Sequence, residues 1–332
     1  MNKLRKLILG GDRRVAFPLA LYPGARLVGC AVSNIVTNAA AQFEAALALH
    51  KRYKTPIVIT AMDLSVEAEA FGCATHFAED EVPTISAPAI ASEAEIDSLR
   101  IPEPGEKRTS IYLETTSLLK SIETNPNVFS VMIGPFSLAG RLIGMNEILC
   151  MTITNPAAAH KLIEKCSMFL LRYAESFKKR GADGLLIAEP AAGLLSPAAV
   201  EEFSSKYIKQ IVDVLQDESF VIILHNCAAR LQHLNAKIAA GTFGLHFGAP
   251  MDIVEAARRV TDKVVFGNLD PTSIFLKATP EQTYAKTKEL LEKTSGFKNF
   301  VISSGCDIPA GTNIENIDAF YEACSNALRL CF

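Results

Sequence analysis

The chain has 332 residues, of which 49% are hydrophobic and 21% charged, with a formal net charge of −3. That balance supports a large buried core and excludes a disordered chain. No cluster of Lys or Arg stands out, which argues against a nucleic-acid or membrane-surface role.

The first fourteen residues hold only a short apolar run before Gly10-Gly11, too short for the apolar core of a signal peptide. No apolar run reaches the roughly 20 residues of a membrane helix. Eight cysteines, at 30, 73, 150, 166, 227, 306, 324 and 331, are scattered through apolar text. In a chain of this size that pattern points to a reducing compartment and to free or metal-bound thiols. The expected location is the cytoplasm.

In chain order, eight short apolar runs bounded by turn residues read as strands. They are 15–21, 56–62, 128–134, 184–189, 220–226, 242–248, 264–268 and 300–305. Helix-period text lies between them at 39–53, 155–180, 197–215, 252–260, 280–293 and 314–330. Asn155-Pro156 and Ser196-Pro197 each pair a capping residue with a proline at the first helical position. The stretch 74–127 holds Pro83, Pro88, Pro102, Pro104 and many charges. It reads as an irregular excursion between the second and third strands, a lid or a small hairpin. Strands that are apolar throughout and alternate with helices imply an α/β fold with a parallel sheet. Eight such units predict a (β/α)8 TIM barrel in one domain over 1–332. An open doubly wound sheet is disfavoured, because no GxGxxG follows the first run.

Chemistry in a barrel sits at the C-terminal ends of the strands. Those ends offer Asp63, Gly134-Pro135, Glu189-Pro190, His225 with Cys227, His246, Asn268 with Asp270, and Cys306 with Asp307. Residues two apart on a strand face the same side, so His225 and Cys227 reach one point above the mouth. Cys306 projects there from the last strand. Two thiolates and an imidazole suit Zn²⁺ with its fourth position open. An incoming thiol would be held there as a thiolate. The plainer alternative is a pair of packed thiols beside a hydrogen-bonded core histidine, and both readings stay open on pattern alone.

Glu189 reads as a fourth, displaceable ligand or as a base orienting His225. Alternatively it is a solvated carboxylate, or a cap for the helix entered at Ser196-Pro197. His246 is a core or pocket histidine or a direct contact to metal or substrate. Asp63 binds substrate or caps the helix that follows it. Asn268 and Asp270 shape a turn. The other six cysteines read as packing residues.

Several motifs together resemble the uroporphyrinogen decarboxylase superfamily over nearly the whole chain. They are MDLSVEAEAFG (62–72), GPFSLAG (134–140), GADGLLIAEPAAGLLSP (181–197), LHNC (224–227), FGNLDP (266–271) and SSGCDIP (303–309). The HxC followed by a distant GC is similar to the zinc-containing, corrinoid-dependent methyltransferase branch, which includes the methylcobamide:coenzyme M methyltransferases. The resemblance implies a (β/α)8 barrel with zinc on His225, Cys227 and Cys306. It implies methyl transfer from a methylated corrinoid protein to a small-molecule acceptor, commonly a thiol such as coenzyme M. The metal-free decarboxylase branch grips substrate carboxylates with several arginines after the first strand. Here Arg26 stands alone in that segment. A third reading is a barrel that binds a corrinoid protein without turnover. The chain departs from the branch at Glu189, where Asp is usual, and at Ala228, where Gly often follows the HxC. Both departures bear on the identity of the acceptor.

Overall fold

The computed structural model describes residues 3–10 and 14–327. Among the described residues there are nine strands: β1 (Ile57–Ile59), β2 (Ala74–His76), β3 (Thr84–Ala87), β4 (Asn127–Ile133), β5 (Gly184–Ala188), β6 (Val221–Asn226), β7 (Gly244–Phe247), β8 (Val264–Leu269) and β9 (Phe300–Ser304). Seven of them form one parallel sheet in the order β1-β4-β5-β6-β7-β8-β9. Every residue of β4, β5, β6, β7 and β9 is buried. That is what a sheet covered on both faces requires, and it explains the unbroken apolar runs.

The run 15–21 is the exception. It makes only a single parallel bridge, Ala16 to Ile302, because Pro18 has no N–H to give a ladder. Other bonds tie it to β9 instead. Phe17 N donates to Ile302 O (2.9 Å) and Ile308 N donates to Leu19 O (2.8 Å). Leu19 N donates to Ser304 Oγ (2.9 Å), and Ser303 Oγ donates to Phe17 O (2.6 Å). The two serines of the last strand thus replace ladder bonds that the proline removes. Phe17 packs against Phe129 of β4 and Phe266 of β8, with centroids at 5.5 and 5.9 Å, filling the interior as in a TIM barrel.

The expected helices form at Ala39–Tyr53, Pro156–Lys179, Ile253–Arg259, Pro280–Lys293 and Ile314–Asn326. The predicted end of the last, 328–330, lies outside the described residues. The region 197–215 is helical throughout but passes through a π-helical turn at Glu201–Ser205. Asn155 and Ser196 cap as expected, accepting from Ala158 N and Ala199 N. The excursion contains the antiparallel hairpin β2–β3 and a helix, Thr109–Lys120, that its prolines and charges concealed. Among the described residues, no single helix is long and apolar enough to cross a membrane.

Candidate metal centre

His225 occupies the penultimate position of β6, and Cys227 lies just past its end. Cys306 follows β9 by two residues. One ligand atom from each of the three lies within 4.8 Å of the others. His225 Nε2 stands 3.6 Å from Cys306 Sγ. An ion at about 2.3 Å from sulfur and about 2.0–2.1 Å from nitrogen, with tetrahedral angles, separates such a pair by about 3.6 Å. The donor set and its spacing therefore fit zinc. His225 is buried, whereas both cysteines are partly exposed, so the cluster opens toward the barrel mouth.

The two thiols act on each other in opposite directions. A hydrogen bond from Cys306 pulls the Cys227 thiol down toward the thiolate. The same contact pushes the Cys306 thiol up. Metal uptake has to release the protons that remain on the pair.

The local chain fixes these positions. Asn226, between His225 and Cys227, donates from Nδ2 to Glu189 O (2.6 Å) and accepts from Ala228 N (3.0 Å). That bond pair holds the turn carrying Cys227. Gly248, at the end of the neighbouring strand segment, lies so close that a Cβ there would sit 2.1 Å from Cys227 O. Only glycine allows this approach.

His246 pairs with His225 in register across β6 and β7. In a parallel pair, registered residues share a face. The two Nδ1 atoms lie 2.8 Å apart, and His246 Nε2 lies 2.7 Å from Ser303 Oγ. Burial holds His246 well below the usual imidazole range, and the neighbouring His225 lowers it further. His246 thus stands behind His225, away from the open side of the cluster.

A model of the uroporphyrinogen decarboxylase (URO-D) family matches residues 19–327. The chain belongs to the uroporphyrinogen decarboxylase family. Among curated relatives, it is 27% identical over 268 residues to a methylcobamide:CoM methyltransferase, MtbA, of Methanosarcina acetivorans, covering 80% of this chain and 78% of that one. It is 30% identical over 253 residues to a uroporphyrinogen decarboxylase of Neisseria meningitidis, covering 73% and 70%. Among solved structures, a methyltransferase from Methanosarcina mazei superposes with a TM-score of 0.88 at 20% identity, covering 97% of each chain. A B12-independent methionine synthase from Shewanella reaches 0.57 at 13% identity, covering 94% and 92%. These comparisons fit the corrinoid methyltransferase branch of the family and its barrel fold.

Two carboxylates singled out from the sequence do not join the cluster. Glu189 is fully buried, so it is not a solvated group at the mouth. Its side chain accepts from Phe136 N (2.9 Å), Ser137 N (3.1 Å) and Ser204 Oγ (3.1 Å). It therefore serves the N-terminus of the helix Pro135–Ile143, where an anion meets free amides and the dipole, not the helix entered at Ser196. Gly134 makes room, since a Cβ there would lie 2.0 Å from Glu189 Oε2. Burial raises the Glu189 carboxyl, and Lys237 opposes that rise. Lys237 is itself fully buried and pushed down to about 8 by burial. Its Nζ has no hydrogen-bond partner among the described residues.

Asp63 accepts from Ser65 N (2.9 Å) and Ser65 Oγ (2.6 Å) and pairs with Arg108. It closes a turn one step ahead of the helix Val66–Ala70 and is not that helix's N-cap. Arg108 also binds Glu69 and donates to Ser65 Oγ (2.7 Å). Arg108 was missed because its partners lie about forty residues away in the chain. Asn268 and Asp270 shape the expected turn: Asn268 donates to Gly248 O and Met251 O, and Asp270 accepts from Ser273 N. Cys73, Cys166 and Cys324 are buried packing residues, Cys30 is half-buried, and Cys150 is exposed. Cys331 lies outside the described residues.

Proposed function

We propose that this chain is a cytoplasmic methyltransferase on a single barrel domain, moving a methyl group from a methylated corrinoid protein to a small-molecule thiol such as coenzyme M. The observation that carries this reading is the convergence of His225, Cys227 and Cys306 on one point at the mouth. The similarity to a methylcobamide:CoM methyltransferase supports it.

His225 Nε2 and the two thiolates are the groups that would hold zinc. When bound, the metal lowers the acceptor thiol's pKa and keeps it as a nucleophile. The partly exposed cysteines leave the open side toward the mouth, where the acceptor enters. The acceptor thiolate attacks the methyl carbon in line. A sulfur–carbon bond forms, the carbon–cobalt bond breaks, and its electron pair stays with the corrinoid of the partner. Exposed Leu194 and Leu276, at the ends of the helical turns that follow β5 and β8, offer apolar contacts to that partner at the rim.

The metal-free decarboxylase reading draws support from the family match and from the Neisseria relative. The arginines count against it. Arg26 donates to Thr312 O (3.1 Å), and Arg108 is taken by Asp63 and Glu69. That leaves Arg26 as a single exposed guanidinium, where a polycarboxylate calls for several.

Elemental analysis of protein purified without chelator tests the reading. We expect about one zinc per chain in the wild type and none in Cys306→Ala. The same preparations, given methylcobalamin and coenzyme M, should methylate the thiol only where zinc is retained. Wild-type protein without metal would bring the decarboxylase reading forward.

A further inference from the structure

The contacts behind His225 form a directional chain. Phe17 O is a carbonyl oxygen and can only accept. Ser303 Oγ, 2.6 Å away, must therefore give it the hydroxyl proton. That leaves Ser303 Oγ as the acceptor for His246 Nε2 at 2.7 Å, so His246 carries its proton on Nε2. A neutral His246 then presents a bare Nδ1. His225 Nδ1, 2.8 Å from it, must supply the proton between them. With its proton on Nδ1, His225 has a lone pair on Nε2, the atom that faces Cys306 at 3.6 Å.

We propose that His246 is a positioning residue: with Ser303 it fixes the tautomer and ring orientation of His225 so that Nε2 is the ligand atom. This rests on reading the cluster as a metal site. The opposite polarity would need a doubly protonated His246, a buried cation whose hydrogen-bond partners are an imidazole and a hydroxyl. It would also put the His225 proton on Nε2 and block the ligand. Packing holds the rings in place. His246 stacks on Phe266 at 20° between planes, and it meets His225 edge-on at 74°. The anchor of the chain is the carbonyl of Phe17, on the segment where Pro18 prevents a regular strand. The irregular closure of the barrel and the orientation of the metal ligand thus share one serine. Groups behind a metal-bound histidine commonly change affinity by about 10–100-fold when removed.

Two readouts test this apart from turnover. The first is long-range ¹⁵N–¹H NMR of the reduced, metal-free protein at neutral pH. We expect the His225 proton on Nδ1 in the wild type and a shift toward Nε2–H in His246→Leu. The second is zinc affinity by competition with a chromogenic chelator. His246→Leu should bind about 10–100-fold more weakly, with a smaller loss in Ser303→Ala. His246→Asn, whose amide oxygen can accept from His225, should recover part of the loss. Wild-type His225 protonated on Nε2, or wild-type zinc affinity in His246→Leu, would overturn the proposal. If His246→Leu fails to fold, Ser303→Ala decides, and unchanged tautomer and affinity there overturn it. Wild-type protein that binds no zinc defeats the functional reading, while the NMR experiment still judges the tautomer.

Discussion

Two buried polar clusters sit at the C-terminal ends of the strands, and they are built on opposite principles. In the Asp63–Arg108 cluster every charge meets another: Arg108 reaches Asp63, Glu69 and Ser65, and Ser65 returns two bonds to Asp63. In the His225–Cys227–Cys306 cluster the bonds come from behind, and three donor atoms are left facing one point. The first arrangement makes a rigid corner. The second makes a site, because its unshared lone pairs converge where a ligand can reach them. Residue type alone did not separate the two, since Asp63 and Glu189 are as chemically able as His225.

The comparison predicts that substitutions on the two sides fail differently. The largest effect should come from the open cluster. Cys227→Ala should lose its zinc and lower methyl transfer by a factor of about 10³ or more. The metal-free protein should melt within a few degrees of metal-free wild type, since removing one partly exposed sulfur leaves only a small gap at the mouth. Calorimetry of both proteins after chelation checks this. A large drop in stability would mean that the thiol is a core residue after all.

The saturated cluster should behave in reverse. Arg108→Met leaves Asp63 and Glu69 without their cation in a site where Asp63 is almost fully buried. Breaking such a pair costs about 3–5 kcal/mol. Urea unfolding should show that loss, while whatever folds keeps its zinc. Zinc lost from folded Arg108→Met protein would instead join the two clusters into one functional unit.

Why one cluster could be read from the sequence and the other could not follows from chain distance. His225 and Cys227 declare themselves through strand alternation, and Cys306 through the end of the last apolar run. Each needs only local rules. Seven of the eight apolar runs became ladder strands for the same reason, and the eighth fell short because of a proline that was visible but not weighed. The contact of His225 with His246 depends on strand register, which no local pattern fixes. The partners of Glu189 lie some fifty residues away, at amides of the helix Pro135–Ile143. Arg108 lay inside a stretch whose prolines hid a helix.

A third prediction uses pH. Glu67 is buried, accepts from Ile133 N with Oε1 (3.1 Å), and leaves Oε2 unpaired among the described residues. Burial raises its carboxyl to about 8. The unfolded value is about 4.3. The folded pKa is raised, so this group's contribution is complete below about pH 4.3 and is lost as pH rises through 8. Glu67→Gln mimics the protonated form. It should match wild type below about pH 4, pull ahead as pH rises, and exceed it above pH 8 by on the order of a few kcal/mol. Melting midpoints across that range check the sign. Parallel curves for the two proteins would show that Glu67 titrates normally and that water reaches it.

The smallest effect probes the boundary between the clusters. Ser204 donates to Glu189 Oε1, and Glu189 in turn accepts from Asn226, the residue between the two proposed ligands, through its backbone oxygen. Ser204→Ala removes one buried hydrogen bond and should cost about 1–2 kcal/mol. The other two partners of the carboxylate, Phe136 N and Ser137 N, keep it in place. Zinc affinity should therefore stay at the wild-type level, because the side chain faces the helix and only its backbone faces the turn that carries Cys227. A fall in zinc affinity that matches the fall in stability would say otherwise. It would mean that the Glu189 carboxylate sets the position of Asn226, and through it Cys227. Glu189 would then return to the metal centre as a positioning group rather than a ligand.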